Sequence, residues 1–250
     1  MRTFLFVSLI VAVCAALGCV YTPGMSVFNN PDEQAGGKMP QDTNELKGAH
    51  YAKPNSTENL SIDHSRTAVL IMDYQTDILG FLEAGRDDLL KRASRVLQAS
   101  RDAKIMVIYI AVGFRRNYPE ISPRNTMFTG LKQSGRFIMN QPGSEIHPMV
   151  APKNGEVIVL KHRVGAFVGT DLDMILRSSG IETLVLFGIS TSGVVLSTLR
   201  YAADLDYRCI VIKDCCGDRD LAVHNCLTEK VFPRQATIVT VEEFLSAIRS

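Results

Sequence analysis

Residues 183–203 read TLVLFGISTSGVVLSTLRYAA. Apolar residues fill consecutive positions of Thr183–Phe187 instead of alternating, the pattern of a strand buried on both faces. A turn, Gly188-Ile189-Ser190-Thr191-Ser192-Gly193, follows, and a helical pattern begins at Val194. The same grammar recurs along the chain. It predicts strands over Thr67–Met72, Ile105–Val112, Glu156–Leu160, Thr183–Phe187, Arg208–Ile212 and Thr237–Thr240. Helices are predicted over Asp87–Ala103, Asp171–Ser179, Val194–Leu205, Leu221–Val231 and Val241–Ile248. Strand–helix alternation with right-handed crossovers gives an α/β fold, a three-layer αβα sandwich around a Rossmann-like parallel six-stranded sheet.

That architecture restricts where function sits, because ligands bind such sheets beyond the carboxyl ends of the strands, near the topological switch point. Asp73 follows the first strand, in IMDYQTD, and Lys161 follows the third, in VIVLKHR. The donor-rich GISTSG turn follows the fourth. An acid, an amine and a turn rich in hydroxyls and amides therefore converge on one sheet edge. Each alone has an ordinary structural explanation: a turn carboxylate, a solvated amine, a helix cap. Their conjunction is the functional signal.

Composition narrows the partners. The chain has 27 Lys+Arg against 26 Asp+Glu, 46% hydrophobic residues, 21% charged residues and no Trp. A neutral chain without basic blocks offers nothing to nucleic acid or an anionic membrane surface, and scarce aromatics argue against a base-stacking platform. A small-molecule partner is the expectation.

The chain divides into three expected segments. Residues 1–18 have the form of a secretory signal peptide: Arg2, an apolar run, and Ala16-Leu17-Gly18 ahead of Cys19. Removing it takes away one base and no acid. The competing readings are a membrane anchor over Thr3–Val20 and a lipid-modified Cys19. Residues 19–62 form a polar leader with sequons at Asn55 and Asn59, suited to an exported chain. Residues 63–250 carry the folded domain. Of six cysteines, Cys209, Cys215, Cys216 and Cys226 crowd near the C-terminus without metal-ligand spacing. They read as buried small residues, with a Cys216–Cys226 bridge as the alternative.

The segments TAVLIMDYQTDIL, VIVLKHRVGAFVGTDLDMILRSSGIETLVLFGISTSGVVLSTLRYAADLDYR and VIKDCCGDRDLAVHNCL resemble the isochorismatase-like, or cysteine hydrolase, superfamily over roughly 65–248. The signature Lys-x-x-x-x-Ala/Ser-Phe-x-Gly-Thr-x-Leu stands here as Lys161, Ala166, Phe167, Gly169, Thr170 and Leu172. The resemblance implies an Asp–Lys–Cys triad in which Asp73 is the acid and Lys161 the amine, but the cysteine position holds Val194. No cysteine lies between 20 and 208, so attack through a thioester is disfavoured. No histidine lies between 65 and 146, which disfavours the Asp-x-His-x-x-His metal site of nicotinamidases; no cofactor is expected.

Isochorismate-type hydrolysis of a vinyl ether needs no covalent nucleophile. The resemblance then implies Asp73 as general acid, with burial raising its pKa, and Lys161 beside it. Gln75 joins the candidate substrate-binding set. Arg115 and Arg116 are candidate carboxylate clamps. The N–H groups of Gly193 and Val194 offer an anion site, Thr191 and Ser192 add hydroxyls, and Val194 with Phe167 makes an apolar wall. The substrate expected is a small carboxylate, and the resemblance implies a homo-oligomer, dimer or tetramer. Competing readings are a pseudoenzyme that only binds a small aromatic acid, and a hydrolase using Ser192 or Cys215.

Overall fold

The computed structural model describes residues 60–82 and 84–249; the expected export segment, Cys14, Cys19, Asn55 and Asn59 lie outside them. Six parallel strands form one sheet: β1 Thr67–Met72, β2 Met106–Val112, β3 Val157–Lys161, β4 Thr183–Gly188, β5 Arg208–Ile212 and β6 Ala236–Val239. Their spatial order is β3-β2-β1-β4-β5-β6. The chain therefore builds outward from β1 in one direction, returns to the centre, and builds outward from β4 in the other. The crevice between the ends of β1 and β4 is the switch point.

All six residues of β1 and of β4 are buried, as continuous apolar runs require when helices cover both faces of a sheet. Besides the single helical turn Thr76–Leu79, the helices are α1 Arg86–Asp102, α2 Thr126–Ser134, α3 Leu172–Ser178, α4 Leu196–Asp204, α5 Leu221–Cys226 and α6 Val241–Ala247. α1 buries Leu89, Leu90, Ala93, Val96 and Leu97, the i, i+3/i+4 stripe expected of a surface helix. It lies beside α6, where Arg95 pairs with Glu242 at 2.7 Å. β3 is an edge strand with Ile158 and Leu160 exposed.

The strand expectations are met within one or two residues. Two departures bear on the site. The expected helix from Val194 starts instead at Leu196, preceded by a wider π-turn, Thr191–Val195. Between β2 and β3, the 126–134 segment, which is not among the predicted helices, is helix α2. Asn125 caps it, its side chain accepting from Phe128 N–H at 3.2 Å, and Gly135 ends it with φ 68°.

The excursion carrying α2 is stitched down at its base. Phe114 N–H donates to the Phe137 carbonyl at 2.8 Å, and Met139 N–H donates to the Phe114 carbonyl at 2.9 Å. Phe114 packs against Phe128 and Tyr118 with ring centroids 5.8 and 5.7 Å apart. These contacts hold the buried face of α2 against the sheet excursion and bring its side chains to the strand ends.

Candidate active site

Asp73 is the first residue after β1. Its N–H donates to the Ile110 carbonyl at 2.8 Å, and its φ of 59° turns the chain out of the extended path. This left-handed conformation costs on the order of 1 kcal/mol for a residue with a Cβ, least for Asp and Asn. It directs the carboxylate off the strand end. Lys161 ends β3, two strands away, so about 10 Å of sheet separates the two backbones. The long lysine side chain crosses the end of β2, and its Nζ reaches Asp73 Oδ2 at 2.9 Å. Nζ also donates to the Arg163 carbonyl at 3.0 Å.

Asp73 and Lys161 are 4% and 2% exposed. Burial pushes the Asp73 carboxyl above the usual carboxylate range, and the Lys161 ammonium opposes that rise without cancelling it. The two carboxylate oxygens differ. Oδ2 meets Lys161, whereas Oδ1 is buried and makes no hydrogen bond of good geometry among the described residues; the Val112 N–H, which donates to Gln75, also favours the charged carboxylate. An unpaired buried oxygen is costly, and such atoms concentrate where chemistry is done.

The pair lies in the wall of a cavity of about 220 Å³. Ile78, Phe81, Leu82, Val112 and Val164 line it, with Met127, Phe128, Leu131 and Phe137 from the α2 excursion. The β4 turn contributes Ile189, Ser190, Gly193 and Val194, and Arg219 completes the lining. Gly188 is required by close approach, since a Cβ would meet the Met72 carbonyl at 2.7 Å and push β4 away from the end of β1; at Gly193 a Cβ would come within 2.5 Å of Ser190 Oγ, which would have to turn aside.

Of the residues expected from sequence, Asp73, Lys161, Gly193 and Val194 share this cavity. The others do not enter it, and each has a physical reason. Gln75 is a buried bracket: its amide donates to the Val112 and Ser144 carbonyls at 2.8 and 2.7 Å and accepts from Val112 N–H at 2.8 Å. Arg115 is exposed and pairs with Glu120 at 2.6 Å. Arg116 lines a separate polar depression with Arg136 and Asp77. Phe167 stacks on Tyr201 with centroids 5.2 Å apart.

Thr191 and Ser192 of the β4 turn likewise lie outside the cavity lining. Thr191 is buried, its hydroxyl shared between the Gly217 carbonyl at 3.2 Å and His224 Nδ1 at 2.8 Å. Ser192 donates its N–H to Asp218 Oδ2 at 2.7 Å. Cys209, Cys215, Cys216 and Cys226 are free, so the Cys216–Cys226 bridge is not formed. Burial pushes the Cys215 thiol up, the adjacent Asp214 reinforcing it, and Cys215 does not line the cavity. It is therefore poorly placed as a nucleophile. His162 is structural, its Nδ1 2.5 Å from the Gly113 carbonyl.

Sequence reasoning missed Ser190, Arg219 and the α2 wall. For α2 the signals were present in Asn125 and Gly135, a cap and a stop nine residues apart around TMFTGLKQS. Nothing local marks Arg219, which sits in the loop after β5 and reaches the cavity only through the fold.

Known proteins give the following comparisons. The isochorismatase domain family matches residues 67–243. YwoC of Bacillus subtilis, an uncharacterized isochorismatase family protein, is 32% identical over 190 residues, covering 76% of this chain and 98% of that protein. The ureidoacrylate amidohydrolase RutB of Rhizobium rhizogenes is 29% identical over 231 residues, covering 84% of this chain and 89% of RutB. The crystal structure of a cysteine hydrolase from Pseudomonas syringae pv. phaseolicola superposes with a TM-score of 0.69 at 23% identity, covering 76% of this chain and 96% of that one. At that identity the likeness concerns the fold.

Proposed function

This chain belongs to the isochorismatase family of hydrolases, and on that premise we propose that it hydrolyses a small carboxylated enol ether with Asp73 as general acid and Lys161 as its partner. The observation that carries the reading is the asymmetry of the Asp73 carboxyl, whose Oδ2 is held by Lys161 while Oδ1 is buried and unpartnered. Oδ1 is the atom free to hold and deliver a proton.

In the reaction, Asp73 protonates the terminal vinyl carbon, and the C=C electron pair forms the new C–H bond. Positive charge develops on the carbon bearing the ether oxygen, as an oxocarbenium ion. Water adds there, and its proton returns to the Asp73 carboxylate. The resulting hemiketal collapses to a keto acid and an alcohol, so the acid is regenerated and one water is consumed. Lys161 has two tasks. It pairs with Asp73 after proton loss, stabilising charge as it develops, and it presents a buried cation to a substrate carboxylate. An anion bound to Lys161 weakens its hold on Asp73 and lets burial raise the acid further.

An amide substrate, as the name of the relative RutB suggests, is less well supported. Valine at 194 cannot attack a carbonyl, and Cys209, Cys215 and Cys216 are buried away from the cavity. Val194 instead forms part of an apolar wall suited to a ring. The test is keto-acid release from isochorismate by the full-length chain, alongside Asp73→Asn and Lys161→Ala. Turnover that Asp73→Asn abolishes supports the mechanism. Absence of keto acid from folded protein overturns it and leaves a cavity that only binds.

A further inference from the structure

A lysine ammonium carries three N–H donors, and Lys161 spends two of them inside the protein. One goes to Asp73 Oδ2 at 2.9 Å and one to the Arg163 carbonyl at 3.0 Å. Where the ammonium stands beside Asp73 therefore depends on where that carbonyl is held. The carbonyl belongs to the stretch between β3 and α3, which leaves the sheet without entering a helix. This stretch is pinned on either side of Arg163. His162 Nδ1 lies 2.5 Å from the Gly113 carbonyl, and Ala166 N–H donates to the Thr198 hydroxyl at 3.1 Å.

Between those pins, the Arg163 side chain supplies the remaining support. It is half-buried, and no carboxylate among the described residues forms an ion pair with it. Its Nη1 donates instead to two carbonyls, that of His162 at 2.6 Å and that of Glu120 at 3.2 Å. The first bond fixes the peptide plane on one side of the Arg163 Cα, while Lys161 takes the carbonyl on the other side. The second reaches the 115–121 turn, which is closed on itself by Arg115 and Glu120 at 2.6 Å and by Tyr118 N–H on the Arg115 carbonyl at 3.0 Å. The guanidinium carbon also lies 6.0 Å from the centroid of Phe128, a wall residue from α2. Hydrogen bonds from a charged donor hold more firmly than neutral ones.

We infer that Arg163 is a positioning residue: its side chain fixes the carbonyl that sets Lys161 Nζ against Asp73 Oδ2, and ties that carbonyl to the α2 wall. Arg163 does not itself line the cavity. The inference rests on the reading of Asp73 and Lys161 as the reacting pair. Burial raises the Asp73 carboxyl and Lys161 opposes the rise, so a loosely held ammonium leaves burial less opposed. The other charged side chain of the lining, Arg219 from the loop after β5, makes no contact with Arg163 that would change with it.

The test is an NMR titration of the Asp73 carboxyl carbon in the full-length chain, its signal assigned from Asp73→Asn. Arg163→Met keeps the stem beside Phe128 and removes every donor. It should raise the titration midpoint by about 0.5–1 pH unit, a roughly threefold to tenfold tighter hold on the proton, the range for one lost hydrogen bond. Arg163→Lys restores a cationic donor and should recover most of the difference. Arg163→Gln keeps neutral donors and should fall between them, giving the same reading if Arg163→Met does not fold. Arg101→Gln breaks the pair with Glu156 at the opposite end of β3, controls for destabilisation alone, and should leave the midpoint in place. A midpoint that stays or falls in the Met and Gln variants of Arg163, or that moves as far in Arg101→Gln, overturns the inference. Failure of the hydrolytic reading gives a different pattern: no keto acid from isochorismate, with the midpoint shift intact. With turnover present, the falling limb of kcat/KM against pH should move upward with the midpoint. A fixed limb beside a moved midpoint overturns the role of Asp73 as the acid and leaves that of Arg163 standing.

Discussion

The ends of β1 and β3 and the turn after β4 line the same cavity, yet they treat their polar groups in opposite ways. In the β4 turn, the Thr191 hydroxyl is shared between Gly217 and His224, and Ser192 N–H is bound by Asp218. At the β1–β3 end, Asp73 keeps one oxygen buried and unpaired beside an ammonium. Within the turn, Thr191 and Ser192 look chemical in sequence and are scaffold in structure, while Ser190 lines the cavity. The strand-end acid and amine each look ordinary when taken alone and hold the cost that a reaction can use. Hydroxyl content is therefore a poor guide to a site, and the satisfaction of each group is a better one.

The largest test of this contrast is Asp73→Asn. Loss of a general acid removes on the order of 10²–10⁴ in rate, so kcat should fall by about 10³ while circular dichroism is unchanged. A variant retaining near wild-type turnover would break the comparison. Its pH dependence sharpens it. Because burial raises the folded-state pKa of Asp73, the reactive protonated form is lost as pH rises through that value, and kcat/KM should fall with it. The sign for stability is the same. Relative to Asp73→Asn, the wild type is most favoured below the unfolded pKa of about 3.9, and that advantage disappears as pH rises through the folded value.

Next in size is Lys161→Ala, which leaves the Asp73 carboxylate buried without its partner. Breaking a buried pair costs about 3–5 kcal/mol, a shift that denaturant titration at neutral pH reads directly. Much of the loss should return at low pH, where Asp73 is neutral. A loss independent of pH would mean that Lys161 acts through packing alone.

The turn should respond more weakly. Thr191→Val removes a buried hydroxyl from the Gly217 carbonyl and His224, which costs about 1 kcal/mol. kcat should then stay within about twofold of wild type, since the hydroxyl is used inside the scaffold. Ser192→Ala should be smallest, within about 0.5 kcal/mol, because the bond to Asp218 uses the backbone N–H. A large kcat loss in either variant would return the turn to the chemistry.

Arg115 and Arg219 illustrate the limits of reading a site from sequence. Both are arginines in loops after strands, and local sequence does not separate them. Arg115 is pulled away by Glu120, five residues on. Arg219 is left to the cavity because Ser192 and the start of α5 occupy its neighbouring acids. Gln75 shows the same effect in reverse, a polar residue two positions from the proposed acid absorbed by the backbone of β2. The α2 wall was hidden for another reason. Thr126, Thr129 and Gly130 weaken its helical pattern, and only Phe128 is fully buried.

The sequence alone determined the sheet, its strands, and the meeting of Asp73 with Lys161 on one edge. Continuous apolar runs and strand–helix alternation are local patterns, and the carboxyl edge of a parallel sheet is a geometric consequence of them. Tertiary structure decided which polar groups are left without partners. It drew Lys161 across β2, tied Thr191 and Ser192 to the loop after β5, and put Arg219 at the cavity mouth. Those outcomes depend on hydrogen bonds and ion pairs between residues far apart in the chain, such as Ser192 and Asp218 or Asp73 and Lys161, and a buried group's reactivity is set by partners that its local sequence does not contain.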